Sequence, residues 1–254
     1  TYSWSLTVAV GDQTCSRNGS VVVTAAASDY DFLLPAVVHA PGAAGSQWRT
    51  SVACLNLAEA SARLDMTLVT DSGSVTRSVT MDGWTSVEWR DVVVDLFEIS
   101  AAESTAGAVH VAADQEILVT SRTYNQATSG TFGQYLPALS DEYVIPAGDS
   151  GILMQLKSDS DFRTNVGFAN VGAAACEVAV QLYDADGNEI GSVVRVTVPA
   201  GTWLQVNDVF GAAGAGSHSL AFAEVEVVTS GGAVWAYASV VDNHTGDATT
   251  IPVL

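Results

Sequence analysis

Apolar residues recur at every second position along most of the chain. Leu64, Met66 and Leu68 alternate with Asp65 and Thr67, and Val178, Val180 and Leu182 alternate with Ala179 and Gln181. A period of two belongs to strands with one face buried. Turn-forming residues interrupt these runs at Asp71-Ser72-Gly73, Asp186-Gly187-Asn188, Pro199-Ala200-Gly201 and Ser230-Gly231-Gly232. Only two segments, 91–99 and 207–213, predict a turn of helix, with Asp91 or Asn207 near the N-cap.

The pattern also repeats. Trp48-Arg49-Thr50-Ser51-Val52 returns as Phe162-Arg163-Thr164-Asn165-Val166, and an Asn follows each stretch four residues later, Asn56 and Asn170. Ser78-Val79-Thr80-Met81 matches Arg195-Val196-Thr197-Val198, and Asp91-Val92 matches Asp208-Val209. Near the ends, the run from Val119 to Asn125 aligns with that from Tyr237 to Asn243. Both copies open alike, on Leu34-Pro35 and Ile145-Pro146, and close alike, on Leu136-Pro137 and Ile251-Pro252. Offsets drift from 111 (34 to 145) to 118 (125 to 243), as small loop insertions such as Glu189-Ile190 require. These observations predict an all-β chain of two tandem antiparallel β-sandwich domains related by internal duplication. The first spans 30–140 and the second 141–254, with roughly seven strands each and a join near 140–143.

Residues 1–29 stand outside the repeat. Trp4, Leu6, Val8 and Val10 alternate, and a second apolar run, 21–23, follows the turn signals Gly11-Asp12 and Asn18-Gly19. This predicts an N-terminal strand or hairpin that completes the first domain, caps a sheet edge or adds to a neighbouring molecule.

Composition narrows the partners. Acidic residues outnumber basic ones 28 to 9, the formal charge is -19, and Lys157 is the only lysine. Without a basic stripe the chain is not expected to bind nucleic acid or anionic lipid. No apolar run reaches the length of a membrane helix, so no direct membrane insertion is expected. A start at Thr1, with no basic region leading into an apolar core, reads as a processed chain.

Several motifs carry a further likeness. Phe32-Leu33-Leu34-Pro35-Ala36-Val37-Val38-His39-Ala40-Pro41-Gly42 with Trp48-Arg49-Thr50, Ser121-Arg122-Thr123-Tyr124-Asn125, Thr131-Phe132-Gly133-Gln134 and the run from Trp235 to Asn243 resemble a module of large secreted and cell-surface bacterial proteins. The resemblance covers residues 30–254. It implies tandem immunoglobulin-like sandwiches, usually without assigned activity, in a secreted or cell-surface setting. The segment around Trp84 and Trp89 differs between the copies, so surface function need not be shared.

No catalytic set and no cofactor-binding motif emerges. His39, His110, His218 and His244 are widely spaced, no GxSxG surrounds a serine, and the glycine-rich 211–216 lacks a P-loop lysine. Asp184, Asp186 and Asn188 offer oxygen donors suited to Ca²⁺, but Asp-Gly is also what a hairpin turn asks for. Cys15 and Cys54 are the pair expected if one disulfide forms, with three buried free thiols as the alternative. Arg49 and Arg163, at equivalent places, are expected to make matching bonds within their own domains. Asn56, Asn170, Asn125 and Asn243 are expected to satisfy turn backbone groups. The expected function is a non-catalytic extracellular structural or adhesive module, partnered by other copies of itself or neighbouring surface proteins. The first alternative is carbohydrate binding through Trp84, Trp89, Tyr135 or Trp203. A secreted glycoside hydrolase is the second, although nothing in the sequence selects an acid/base pair.

Overall fold

The computed structural model describes residues 2–10, 13–21, 30–140 and 144–254. Strands β1 (Tyr2–Val10) and β2 (Gln13–Val21) pair antiparallel, Tyr2 opposite Val21, and form a two-stranded sheet of their own. Asn18-Gly19, expected to turn the chain, instead lies inside β2 opposite Ser5 and Trp4. A full ladder on the partner strand outweighs the local turn preference of Asn-Gly.

The first unit contains β3 (Tyr30–Pro41), β4 (Gln47–Asn56), β5 (Ala62–Thr70), β6 (Gly73–Met81) and β7 (Ser86–Trp89). A short helix α1 (Val92–Asp95) precedes β8 (Thr105–Ala113), β9 (Ile117–Ala127) and β10 (Gly130–Pro137). The second unit contains β11 (Ile145–Pro146), β12 (Ser150–Ser158), β13 (Phe162–Asn170), β14 (Cys176–Asp184), β15 (Glu189–Val198) and β16 (Trp203–Val206). Helix α2 (Val209–Ala213), β17 (His218–Val227), β18 (Ala233–Asp242) and β19 (Ala248–Pro252) follow.

Strand order is the same in both units apart from one pairing. Strands β3-β8-β5-β6 face β10-β9-β4-β7, and in this unit alone the ends of β3 and β4 also pair, Ala40 opposite Trp48, so that the eight strands form one continuous sheet. In the second unit a sheet β12-β17-β14-β15 faces β19-β18-β13-β16, with β11 also pairing β18. The alternating apolar residues fill the space between the sheets: Val52, Cys54, Leu64, Met66, Leu68, Val109 and Val111 in one unit, Val166, Phe168, Val178, Val180, Leu182 and Val225 in the other. The extra residues of the second unit's hairpin sit as a bulge, Gly191–Val193, opposite Gln181. Gly191 is required there: its φ is +68°, and a Cβ would lie 2.5 Å from the Ala213 carbonyl oxygen at the end of α2.

Strand pairing corrects two of the sequence equivalences. Leu64 faces Ala113 and Val178 faces Val227, which aligns β8 with β17. In that frame Leu34, opposite Val109, corresponds to Leu153, opposite Ala223, so Pro35 corresponds to Met154 rather than to Pro146. Both strands then break register, and the residue within the break is left-handed in each: Ala36 at φ 51° and Gln155 at φ 58°. The repeated aliphatic-Pro pair was the weaker clue, because this bulge is fixed by a threonine on the next strand, 12 residues from Val38 in one unit and 7 from Lys157 in the other. Thr50 and Thr164, buried in both units, clamp it by accepting the N–H of Val38 (2.9 Å) and Lys157 (3.1 Å). Likewise Trp48 faces Asn125 while Phe162 faces Asp242, so Asn125 corresponds to Asp242, and Asn243 stands one residue beyond. Alternating sequences tolerate a one-residue slip in alignment that a strand cannot tolerate, since it would reverse every side chain.

The two units share a third cluster. Leu33, Ala36, Ala108, Leu136 and Leu139 of the first pack against Ala169, Trp235 and Tyr237 of the second, with the Trp235 and Tyr237 rings stacked 5.0 Å apart. Burying each of the large members contributes about 1.5–3 kcal/mol. Polar links border it: His110 Nε2 lies 2.7 Å from the Gly201 carbonyl, and the Thr250 hydroxyl donates to the Tyr135 carbonyl at 2.8 Å. The join expected at 140–143 falls largely on residues 141–143, outside the described residues. No helix among the described residues is long and apolar enough to cross a membrane.

Candidate functional site: a cleft between the two units

On β13, Thr164 and Val166 are buried on the core side, so Arg163, Asn165 and Gly167 take the opposite face by strand alternation. Register extends that face: Asn165 lies opposite Ser239, and Gly167 lies between Tyr237 of β18 and Gln205 of β16. Trp203 falls on the same face as Gln205. Gly167 has a clear purpose, since a Cβ would sit 2.3 Å from the Tyr237 ring. The ring instead lies flat across the strand, and its hydroxyl accepts from the Trp203 indole at 3.2 Å.

The Trp235 end of this face is covered by the shared cluster. The Arg163 end stays open, and the first unit's β3–β4 hairpin forms the opposite wall. Small residues there, Ala36, Ala40, Gly42 and Ala43, leave a cleft of about 420 Å³ with Trp48 at its side. Polar side chains converge on it. The Asn165 Oδ1 accepts from the Asp208 N–H (3.0 Å), and Gln205 donates to the Asn207 Oδ1 (2.7 Å). Arg163 Nη1 donates to the Asn243 Oδ1 (2.7 Å), leaving its other nitrogens unbonded among the described residues. Burial holds the Arg163 guanidinium below its ordinary pKa, while the nearby Asp208 carboxylate pushes it back up. Asp208, not Asn207 as the sequence suggested, is the N-cap of α2 and accepts from the Gly211 N–H at 3.1 Å.

The equivalent residues of the first unit form a closed cluster. Asp91 precedes α1 but makes no side-chain cap bond. Its Oδ2 meets His39 Nδ1 at 2.6 Å and Arg49 Nε at 3.3 Å, and its Oδ1 is buried without a hydrogen-bond partner among the described residues. His39 Nε2 faces the Ala101 carbonyl at 3.1 Å, so both ring nitrogens are committed. The two arginines therefore both bond within their units, as expected, but their bonds do not match: Arg49 pairs with Asp91 and Arg163 bonds Asn243. Sequence spacing gave no sign of this, because His39, Arg49 and Asp91 lie on separate elements. The equivalence of Asp91 and Asp208 was the only usable signal.

Other sequence candidates take structural places. Asn56 Nδ2 donates to the carbonyls of Ala60, Met81 and Asp82 at 2.8, 3.4 and 3.1 Å, and its Oδ1 accepts from Ala58 N–H at 2.9 Å. Asn170 repeats this set on Ala174, Val198, Pro199 and Gly172. Asn125 accepts from the Gln47 N–H and reaches the Thr245 carbonyl of the second unit. The Asp184 carboxylate accepts from the N–H groups of Asp186 and Asn188 and from the Asn188 amide. It thus closes the turn around Gly187, with its oxygens aimed at the loop backbone. These bonds, the Asn188 side chain first, hold Asp184 below the usual carboxylate pKa.

Cys54 has a free thiol, so the Cys15–Cys54 disulfide is not formed; the strand aims Cys54 into the intersheet core, and burial pushes its pKa up to about 12. The Cys15 side chain lies outside the described residues. Cys176 is also free and buried. Of the four aromatics expected to stack on sugars, Trp84 and Tyr135 are exposed, Trp89 packs on the first core, and Trp203 alone of the four lines the cleft. Tyr135 instead borders a larger, mostly apolar cavity of about 1230 Å³ lined by Pro137, Leu139, Ile145 and Val253.

No family model matches the chain, and no curated protein matches it. Among solved structures, the PBSX exported protein XepA is similar over 87% of this chain and 89% of its own, at 11% identity and a TM-score of 0.24. A Bacteroides uniformis beta-glucuronidase 2, covalently bound to cyclophellitol-6-carboxylate aziridine, is similar over 89% of this chain and 26% of its own, at 11% identity and a TM-score of 0.16. Neither likeness is close enough to carry a conclusion about fold or activity.

Proposed function

We propose that this protein is a non-catalytic extracellular structural or adhesive module that works by presenting surface, and that its N-terminal hairpin joins one copy to the next. One observation supports it above others: two units of like strand order are fastened by a shared buried cluster, from Leu33 to Tyr237. Such docking makes a two-unit body of fixed geometry, suited to spacing or bearing load. The β1–β2 hairpin pairs with no other described strand, and an isolated two-stranded ribbon is marginal in water. Adding it to an open sheet edge of a second copy satisfies its outer backbone groups and propagates a head-to-tail contact. The charge of -19 opposes that stacking at low ionic strength, and salt relaxes the opposition.

Sedimentation velocity and electron microscopy on the full chain, at low and high salt, test the assembly. Salt-promoted oligomers that disappear in a Thr7→Pro variant, which breaks the β1 ladder, are the expected result. Monomers under every condition overturn it. Turnover in a broad hydrolase screen overturns the non-catalytic half.

A further inference from the structure

We propose that the cleft between the two units is a binding site for a neutral oligosaccharide. The inference goes beyond the assembly reading and does not rest on it. A cleft of about 420 Å³ is within the roughly 300–1,000 Å³ range of small-molecule sites. Its wall from the first unit offers the Trp48 indole over a floor of small side chains, and its wall from the second offers Trp203. Flat aromatic faces beside planar polar groups suit a sugar, whose rings present C–H on one face and hydroxyls at the edge.

The polar groups are of the right kind. Among the described residues, the amide nitrogens of Asn165 and Asn207 and two guanidinium nitrogens of Arg163 make no hydrogen bond to the protein. Asn165 and Asn207 use their oxygens as acceptors, so these donors are left for a ligand. Asp208 Oδ2 supplies an acceptor, its Oδ1 being bound to Gly211. Planar amide, guanidinium and carboxylate groups, several donors and one acceptor, match vicinal hydroxyls, each of which both donates and accepts.

Charge selects among carbohydrates. Arg163 and Asp208 offset one another within the cleft, whereas the whole chain carries -19. That field repels uronic or sulfated glycans. A neutral chain suffers no such repulsion.

The test is titration calorimetry of the full chain against neutral gluco-, galacto-, manno- and N-acetylglucosamine oligosaccharides of two to four residues, together with sulfated and uronate counterparts. At least one neutral member is expected to bind, with acidic counterparts weaker by about tenfold. Trp48→Ala and Gln205→Ala are expected to weaken that binding by about tenfold or more. Ala40→Trp fills the cleft without removing an existing contact, and its loss of binding with an unchanged melting profile separates occlusion from misfolding. Failure of every neutral member to bind overturns the proposal. So does binding that survives Ala40→Trp, or binding abolished instead by Trp84→Ala or Tyr135→Ala, which places the sugar elsewhere.

Discussion

Arg49 and Arg163 begin from the same place: each follows an aromatic residue, precedes a buried threonine that clamps a left-handed bulge, and has an aspartate ahead of a short helix nearby. In the first unit His39 closes over the pair, and Asp91 spends its carboxylate on His39 and Arg49 instead of capping α1. The second unit has Ser158 at the place of His39 in the aligned strands, too short to reach across. Asp208 there caps α2, and Arg163 opens onto the cleft. One framework thus yields a buried structural network in one unit and a solvent-facing polar site in the other. The difference shows that a repeated Arg-Asp pair is not by itself a function, and that a third residue decides whether it is sealed.

The largest effect is expected where the units agree. Asn56→Ala and Asn170→Ala each orphan several buried backbone groups, at about 1–3 kcal/mol per group, so each variant is expected to lose about 3 kcal/mol or more in urea unfolding. Losses that differ widely between the two break the equivalence of the units. Next comes the divergent pair. Asp91→Asn disrupts a largely buried charge network and is expected to cost about 2 kcal/mol, below the roughly 3–5 kcal/mol of a fully buried pair. Asp208→Asn, on an exposed cap, is expected to cost less than about 1 kcal/mol. Equal losses refute the contrast between a sealed and an open site.

Gly167→Ala pushes a methyl into the Tyr237 ring and is expected to cost about 1–3 kcal/mol, with a change in tryptophan emission as Trp203 and Trp235 shift. Unchanged emission and stability mean that the ring does not lie across β13. Cys54 bears on the cores themselves. With its pKa near 12 and its side chain between the sheets, it is expected to resist thiol reagents at pH 8 until the unit unfolds; rapid native labelling contradicts the packing.

The smallest effect is on the surface. A hydrogen bond to Asp161, followed by its charge, raises the His244 pKa above 6.5. The folded value exceeds the unfolded one, so this contribution to stability is complete below pH 6.5 and is lost as pH rises through the folded pKa. An NMR titration of His244 that moves downward in Asp161→Asn checks the cause, and no movement removes Asp161 from it.

The sequence by itself determined the all-β character, because period-two alternation and Gly/Asp/Asn turns are local signals that no packing overrode across most strands. It also placed Asn56 with Asn170 and Pro137 with Pro252, residues whose partners lie at recurring distances along the chain. Tertiary structure decided the rest. The true alignment of Leu34 with Leu153 depends on cross-strand pairing and on bulges, which cost one or two residues and leave no mark in composition. The expected use of Asn243 as the twin of Asn125 failed for that reason. The cleft was illegible for a deeper one: Trp48, Gln134, Arg163 and Trp203 converge only because Trp235 and Tyr237 dock the second unit on the first. No spacing rule links side chains brought together by the burial of other side chains, so geometry between units has to be seen rather than read.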